Sequence, residues 1–228
     1  MTKKLPARTG ASGTRASGTG AKPAKLAAER IREVARDLFY RQGIRAVGVD
    51  EIVARAGVTK PSLYRSFASK DELAAACLRD RSEEFLRRFD AALSERPDDP
   101  RAGLRSWLQT LSKKAMKADY RGCALTNASV EYPDRGHPAR LVAAANKRAF
   151  RGRLRSFALQ LGVADAEALA DALLLLVEGA YVSGQLFGRD GPARILADAA
   201  DALIDAYRVR AKFAAIPEAP GSGRRVEA

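Results

Sequence analysis

One histidine and two cysteines are all that 228 residues provide of imidazole and thiol side chains. The cysteines, Cys77 and Cys123, stand far apart and form no CxxC. There is also no HExxH, no GxGxxG and no phosphate-cradling P-loop pattern. These gaps exclude the common metal, nucleotide and disulfide frameworks, and we expect reduced thiols, no metal and no cofactor. The single histidine, His137, lies between Gly136 and Pro138 in an expected solvated loop. With Cys123 it makes at most an unsupported nucleophile pair, so the chain is not read as an enzyme.

Long apolar runs are missing too. The most apolar segment, ADALLLLVEGAYVSGQLF, is interrupted by Asp171 and Glu178 and falls short of a clean membrane span. No apolar run follows the first lysines, which speaks against a secretory signal and for a cytoplasmic protein. Acids are absent from residues 1–25, where Lys3, Lys4, Arg8, Arg15, Lys22 and Lys25 sit among Gly, Ser, Thr and Ala. Such a composition buries too little apolar surface to offset ordering, so it reads as a disordered basic tail. Alternating apolar and polar residues of strand length are not found either, which leaves an all-α chain.

What the sequence does have is positive charge and helical periodicity. Forty Lys and Arg against 27 Asp and Glu give a formal net charge of +13, which favours a polyanionic partner such as nucleic acid. Ile31, Val34, Ala35, Leu38 and Phe39 keep one buried helical face from Leu26 onward, and Gly43 is placed to end it. Short helices are expected over 49–56 and 59–67. A longer one starts at Ser69, whose spacing to Glu72 is that of a capping box, with Leu73, Cys77, Leu78, Phe85 and Phe89 inward. Asp99–Pro100 marks another start, with Leu104, Trp107, Leu108 and Leu111 as its stripe. A mixed region, 120–138, precedes a helix over 138–161 with Leu141, Ala145, Leu154, Phe157 and Leu161 inward. Helices over 165–187 and 192–207 complete the set, and residues 217–228 read as a flexible end.

The stretch VTKPSLYRSF, residues 58–67, must serve two faces. Thr59 suits an N-cap and Pro61 the first turn. Leu63 and Phe67 are four apart and point inward with Val58, leaving Lys60, Pro61, Ser62, Tyr64 and Arg65 outside. The helix before it ends at Gly57, a residue free to take positive φ. Helix, tight turn and a second helix that opens with small and cationic groups form a helix-turn-helix arrangement, suited to base edges and phosphates. An ordinary helical hairpin with a solvated outer face fits the same pattern.

The run AVGVDEIVARAGVTKPSLYRSFASKDEL, within residues 28–78, resembles the DNA-binding domain of TetR-family transcriptional regulators. The resemblance implies a helix-turn-helix domain over 26–72. Lys60, Pro61 and Ser62 would approach bases, Tyr64 and Lys70 phosphates, Thr59 would cap the helix and also reach a phosphate, and Arg65 would stand on the same face. Val53 replaces a usual alanine, and Asp50 stands where some members carry a DNA-reaching cation or hydroxyl.

The family also implies a larger helical domain, here 73–216, that binds a small molecule and dimerises. The segment RGCALTNASVEY resembles one branch of the family in that region. Phe85, Phe89, Trp107, Cys123, Asn127, Tyr132, Phe150 and Tyr181 supply the apolar and few polar groups of a ligand pocket, and each is also plain core material. Leu173, Leu176, Gly179, Ala180 and Gly184, with Ile195, Ala199 and Leu203, suit a four-helix homodimer interface, with Gly179 and Gly184 allowing close approach. The expected function is a repressor released from a palindromic double-stranded operator by a small effector. A non-specific architectural DNA binder and a thiol-based redox sensor using Cys123 are the alternatives.

Overall fold

The computed structural model of the protein describes residues 21–214, with side chains from 26 to 209. The expected tail up to residue 20 and the flexible end from 217 lie outside the described residues. Every regular element among the described residues is helical. Helix α1 covers Ala21–Gln42, α2 Val49–Ala56, α3 Lys60–Ser66 and α4 Lys70–Ser94. Then come α5 Pro100–Ala115, α6 Ala124–Glu131, α7 Pro138–Gln160, α8 Ala166–Phe187 and α9 Leu196–Ala214, with two short 3-10 turns between α8 and α9. Helix α1 begins at Ala21, five residues before the expected start and inside the expected tail, because AKLAAE is made largely of strong helix formers.

Helices α1, α2 and α3 enclose a small core of Ile31, Ala35, Leu38, Ile44, Val47, Ile52, Ala56 and Leu63. Gly43 closes α1 at φ 94, and its N–H reaches the Phe39 carbonyl at 3.1 Å. Gly57 ends α2 at φ 60 and ψ 42, a left-handed conformation that disfavours any side chain. That single residue sets the angle at which α3 leaves the core. Leu63 is fully buried, while Val58 and Phe67 pack against the core from its edge.

Ser69, Asp99 and Asp165 start α4, α5 and α8 as their chemistry predicts. Each side chain accepts an N–H of the first turn, from Glu72 at 3.1 Å, Ala102 at 2.9 Å and Ala168 at 3.0 Å. Helix α6 falls within the region read as mixed, and α7 is turned relative to the expected face. Leu141 is 52% exposed and Ala145 is also exposed, whereas Ala139, Ala143 and Asn146 are buried. Helix α7 packs against α4, α6 and α8, so small side chains permit close approach there, and Asn146 Nδ2 donates to Ser82 Oγ at 2.9 Å.

On helix α8 and beyond, the residues expected at a dimer interface divide between the chain's own core and its surface. Leu173, Ala180 and Gly184 are buried inside the chain, and Leu176 and Leu203 pack at the edge of its core. A Cβ at Gly184 would lie 2.6 Å from Ala115 Cβ, so this glycine lets α8 approach α5 rather than a second chain. Gly179 and Ile195 remain exposed and Ala199 is half-buried. The apolar residues left outside are Leu175 at 73% and Leu186 at 71%, with Val182 between them. Ion pairs bind the outer helices: Arg101 and Arg105 join α5 to Asp198, Asp201 and Asp205 of α9, and Arg151 joins α7 to Glu167 and Asp171 of α8.

Candidate nucleic-acid interface and effector cavity

Lys60, Pro61, Tyr64 and Arg65 are exposed on α3, and Ser62 between them is half-buried. Their polar groups pair locally. Lys60 Nζ lies 2.7 Å from an Asp50 carboxylate oxygen, and that hydrogen bond raises the ammonium's pKa above its ordinary value. Arg65 Nη2 donates to Ser62 Oγ at 2.8 Å, and Ser62 Oγ lies 3.0 Å from Thr59 Oγ1. Thr59 therefore occupies the N-cap position without capping, since its hydroxyl is turned to a side chain instead of a backbone N–H. Asp50, noted as an unusual residue in the sequence, is the group that holds the first cation of the recognition face.

Lys70, expected at a phosphate, bonds within its own domain in the free protein. Its ammonium donates to the carbonyls of Ile44 and Val47, both at 3.0 Å, and lies 3.5 Å from that of Arg45. Two of its three donors are held by the Ile44 and Val47 carbonyls, so it ties the α1–α2 turn to α4.

A cavity of about 810 Å³ opens between α4, α5, α6 and α8, within the size range of small-molecule sites. Of the eight expected pocket residues, Phe85, Trp107, Cys123 and Tyr181 line it. Phe89 and Phe150 stand behind that wall, each 5.2–5.5 Å from the Trp107 ring, as part of a four-ring aromatic cluster. Asn127 borders a separate small crevice and ties its Nδ2 to the Arg121 carbonyl at 2.7 Å. Tyr132 stacks on His137 at 3.6 Å, away from the cavity. Arg81, Lys114 and Tyr120 line the cavity without having been expected there. They come from separate helices and loops, and no local spacing in the sequence groups them.

Cys123 is buried at the N-cap of α6, with Lys147 Nζ 3.5 Å from its sulfur and Glu178 on the other side of that lysine at 2.5 Å. Cys77 is an inert core thiol: burial pushes its pKa up to about 12. His137 is not solvated as expected. It caps α7 by accepting the Ala139 N–H on Nδ1 at 3.2 Å, with Nε2 3.4 Å from Asp71.

Residues 31–77 match the model of the bacterial regulatory proteins of the tetR family. The crystal structure of a TetR-type transcriptional regulator from Streptomyces avermitilis is 33% identical and covers 80% of this chain and 98% of its own, with a TM-score of 0.72. The chain belongs to the TetR family of transcriptional regulators. Two curated relatives share the DNA-binding end. The transcriptional activator FasR of Mycolicibacterium smegmatis is 40% identical over 65 residues, 28% of this chain and 30% of FasR. The transcriptional regulator LmrA of Bacillus subtilis is 33% identical over 85 residues, 37% of this chain and 45% of LmrA. The chain thus spans less than half the length of these two. Membership makes it a DNA-binding regulator with a helix-turn-helix, and its relatives are regulators, not enzymes. Among the described residues no helix is long and apolar enough to cross a membrane.

In this TetR-family chain, α6 touches both the cavity and the α1–α2 turn of the DNA-binding end. Its first residues, Ala124 and Leu125, line the cavity. Its last, Glu131, accepts the Arg45 N–H at 2.8 Å in the turn between α1 and α2. Tyr40 of α1 adds a second tie, since its hydroxyl accepts the Arg121 N–H at 3.0 Å and donates to the Gly122 carbonyl at 3.4 Å.

Proposed function

We propose that the protein is a cytoplasmic homodimeric repressor that reads a palindromic operator with α3 and leaves it when a small molecule enters the cavity. The observation that carries the DNA half is the outer face of α3: small and cationic groups on a helix whose departure angle is set by Gly57 and whose inner side is anchored by Leu63. Lys60, Pro61 and Ser62 read bases, Tyr64 and Arg65 meet the backbone, and Lys70 braces the domain. Residues 26–72 and 73–216 act as the two working units.

Support for the dimer is the stripe of Leu175, Gly179, Val182 and Leu186 along α8, extended by Ile195, because so much exposed aliphatic surface on one face calls for a cover. A two-fold dimer places both copies of α3 in successive major grooves only at a separation of about 34–36 Å or a multiple of it. An effector acts by binding more tightly to a state in which that separation is wrong. The contacts of α6 with cavity and turn supply a route for the change.

The test is in vitro selection of DNA by the purified protein at near-physiological salt, with Tyr64→Ala as control. An enriched palindrome that disappears with Tyr64→Ala is the expected result. Binding without sequence preference that fades steeply with salt would instead assign the chain to non-specific phosphate binding.

A further inference from the structure

The cavity wall holds polar groups that lack a hydrogen-bond or ion-pair partner among the described residues. Lys114, on the wall contributed by α5, is half-buried and has no carboxylate at ion-pair distance among the described residues. Its nearest charged neighbours include Arg88 and Arg81, and the Glu84 carboxylate between them is taken by Arg88 and lies 4.0 Å from Arg81. Burial and then Arg88 push the Lys114 pKa below its usual value, against a smaller upward pull from Glu84. Tyr120, also on the wall, has a buried hydroxyl with no hydrogen-bond partner. Burial raises its pKa, so it keeps its proton and remains a donor.

The wall carries more cations than acids, Arg81, Arg87, Arg88, Lys114 and Lys117 against Glu84, Glu95 and Asp119, and Phe85, Trp107 and Tyr181 form its aromatic part. We infer that the effector is an amphipathic organic acid, its apolar body laid against Phe85 and Trp107 and its carboxylate directed to Lys114 beside Arg88. This rests on the reading of the cavity as the effector site. A carboxylate offsets the crowded cations by charge-assisted hydrogen bonds, which a neutral molecule cannot make, and an amine would add a further positive charge to them.

Trp107 is the only tryptophan in the chain and lines the cavity, so its fluorescence reports occupancy without any DNA. The probes are 4-phenylbutyrate, 4-phenylbutan-1-ol and 4-phenylbutylamine, which share one body and differ in head group. We expect the acid to bind about tenfold or more tightly than the alcohol, as one hydrogen bond to a charged group implies, and the amine to bind weakest. Lys114→Gln should bring the acid down to the alcohol's affinity and leave the alcohol unchanged. The exposed Arg88→Gln repeats the test should Lys114→Gln fail to fold. Equal binding of acid and alcohol, preference for the amine, silence of all three probes or an unaltered acid affinity in the variants would each overturn the inference. Binding of the alcohol without preference for the acid would do so while leaving the cavity as an effector site, and the DNA selection above stands apart from every one of these outcomes.

Discussion

On the outer face of α3, Lys60 meets Asp50 at 2.7 Å and Ser62 receives Arg65 at 2.8 Å. On the cavity wall, Lys114 forms no ion pair among the described residues, the nearby Glu84 being bound to Arg88, and the Tyr120 hydroxyl has no hydrogen-bond partner there. The difference follows from solvent. An exposed group exchanges one partner for water or phosphate at small cost, so a DNA-reading surface can be fully paired in the free protein and still available. An enclosed group has no such reserve, and a missing partner there is a standing deficit that a ligand can remove. Pairing therefore says little about function on the outside and a good deal inside.

The widest separation of the two regions should come from Phe150→Ala. Phe150 is fully buried and packs edge-on against Phe85 and Phe89 with Trp107 beside it. Its loss should destabilise the fold by about 3–5 kcal/mol, read by chemical denaturation, with the cavity wall losing its support. A change below 1 kcal/mol would mean that the aromatic cluster does not hold the wall. Next is Lys70→Met, which should cost about 1–3 kcal/mol by orphaning turn carbonyls, while the salt dependence of DNA binding stays the same. Unchanged stability with a shallower salt slope would return Lys70 to the phosphate role implied by the family resemblance. Smallest is Asp50→Ala. Freeing Lys60 should tighten binding to all DNA a few-fold at low salt, and the gain should vanish at high salt. A loss of operator preference would instead give Asp50 a direct part in reading bases.

The DNA-binding end was legible because its signals are local. Ser69 and Glu72 are three residues apart, Gly57 ends α2 where the apolar pattern stops, and Leu63 falls one helical turn from Phe67. Local signals do not reveal where a side chain's donors end up, and so neither the carbonyl grip of Lys70 nor the turn of the Thr59 hydroxyl toward Ser62 was foreseen. The cavity was legible only in its aromatic content. Phe85 and Trp107 line it while Phe89 and Phe150, equally aromatic and on the same helical stripes or facing them, stand one layer behind. Which layer a ring occupies depends on how α4, α5 and α7 pack, and spacing along one helix carries no information about that. The same cause misplaced Leu141 and Ala145 on α7, and it hid that Leu173, Ala180 and Gly184 of α8 lie within the chain's own core. A helix apolar over most of its circumference gives no indication of which side meets its own chain.

Helix α4 begins at Lys70, braced on the α1–α2 turn, and continues through Arg81, Phe85 and Arg88 at the cavity. Its 25 residues make a rod about 37 Å long at 1.5 Å per residue. Pivoted at the cavity end, such a rod converts a tilt of about 5° into a shift of about 3 Å at Lys70, nearly the 3.4 Å rise of one DNA base step. Under the proposed release by an effector, leverage of that ratio would turn a movement of a fraction of an ångström at the cavity into a recognition helix out of register with its groove.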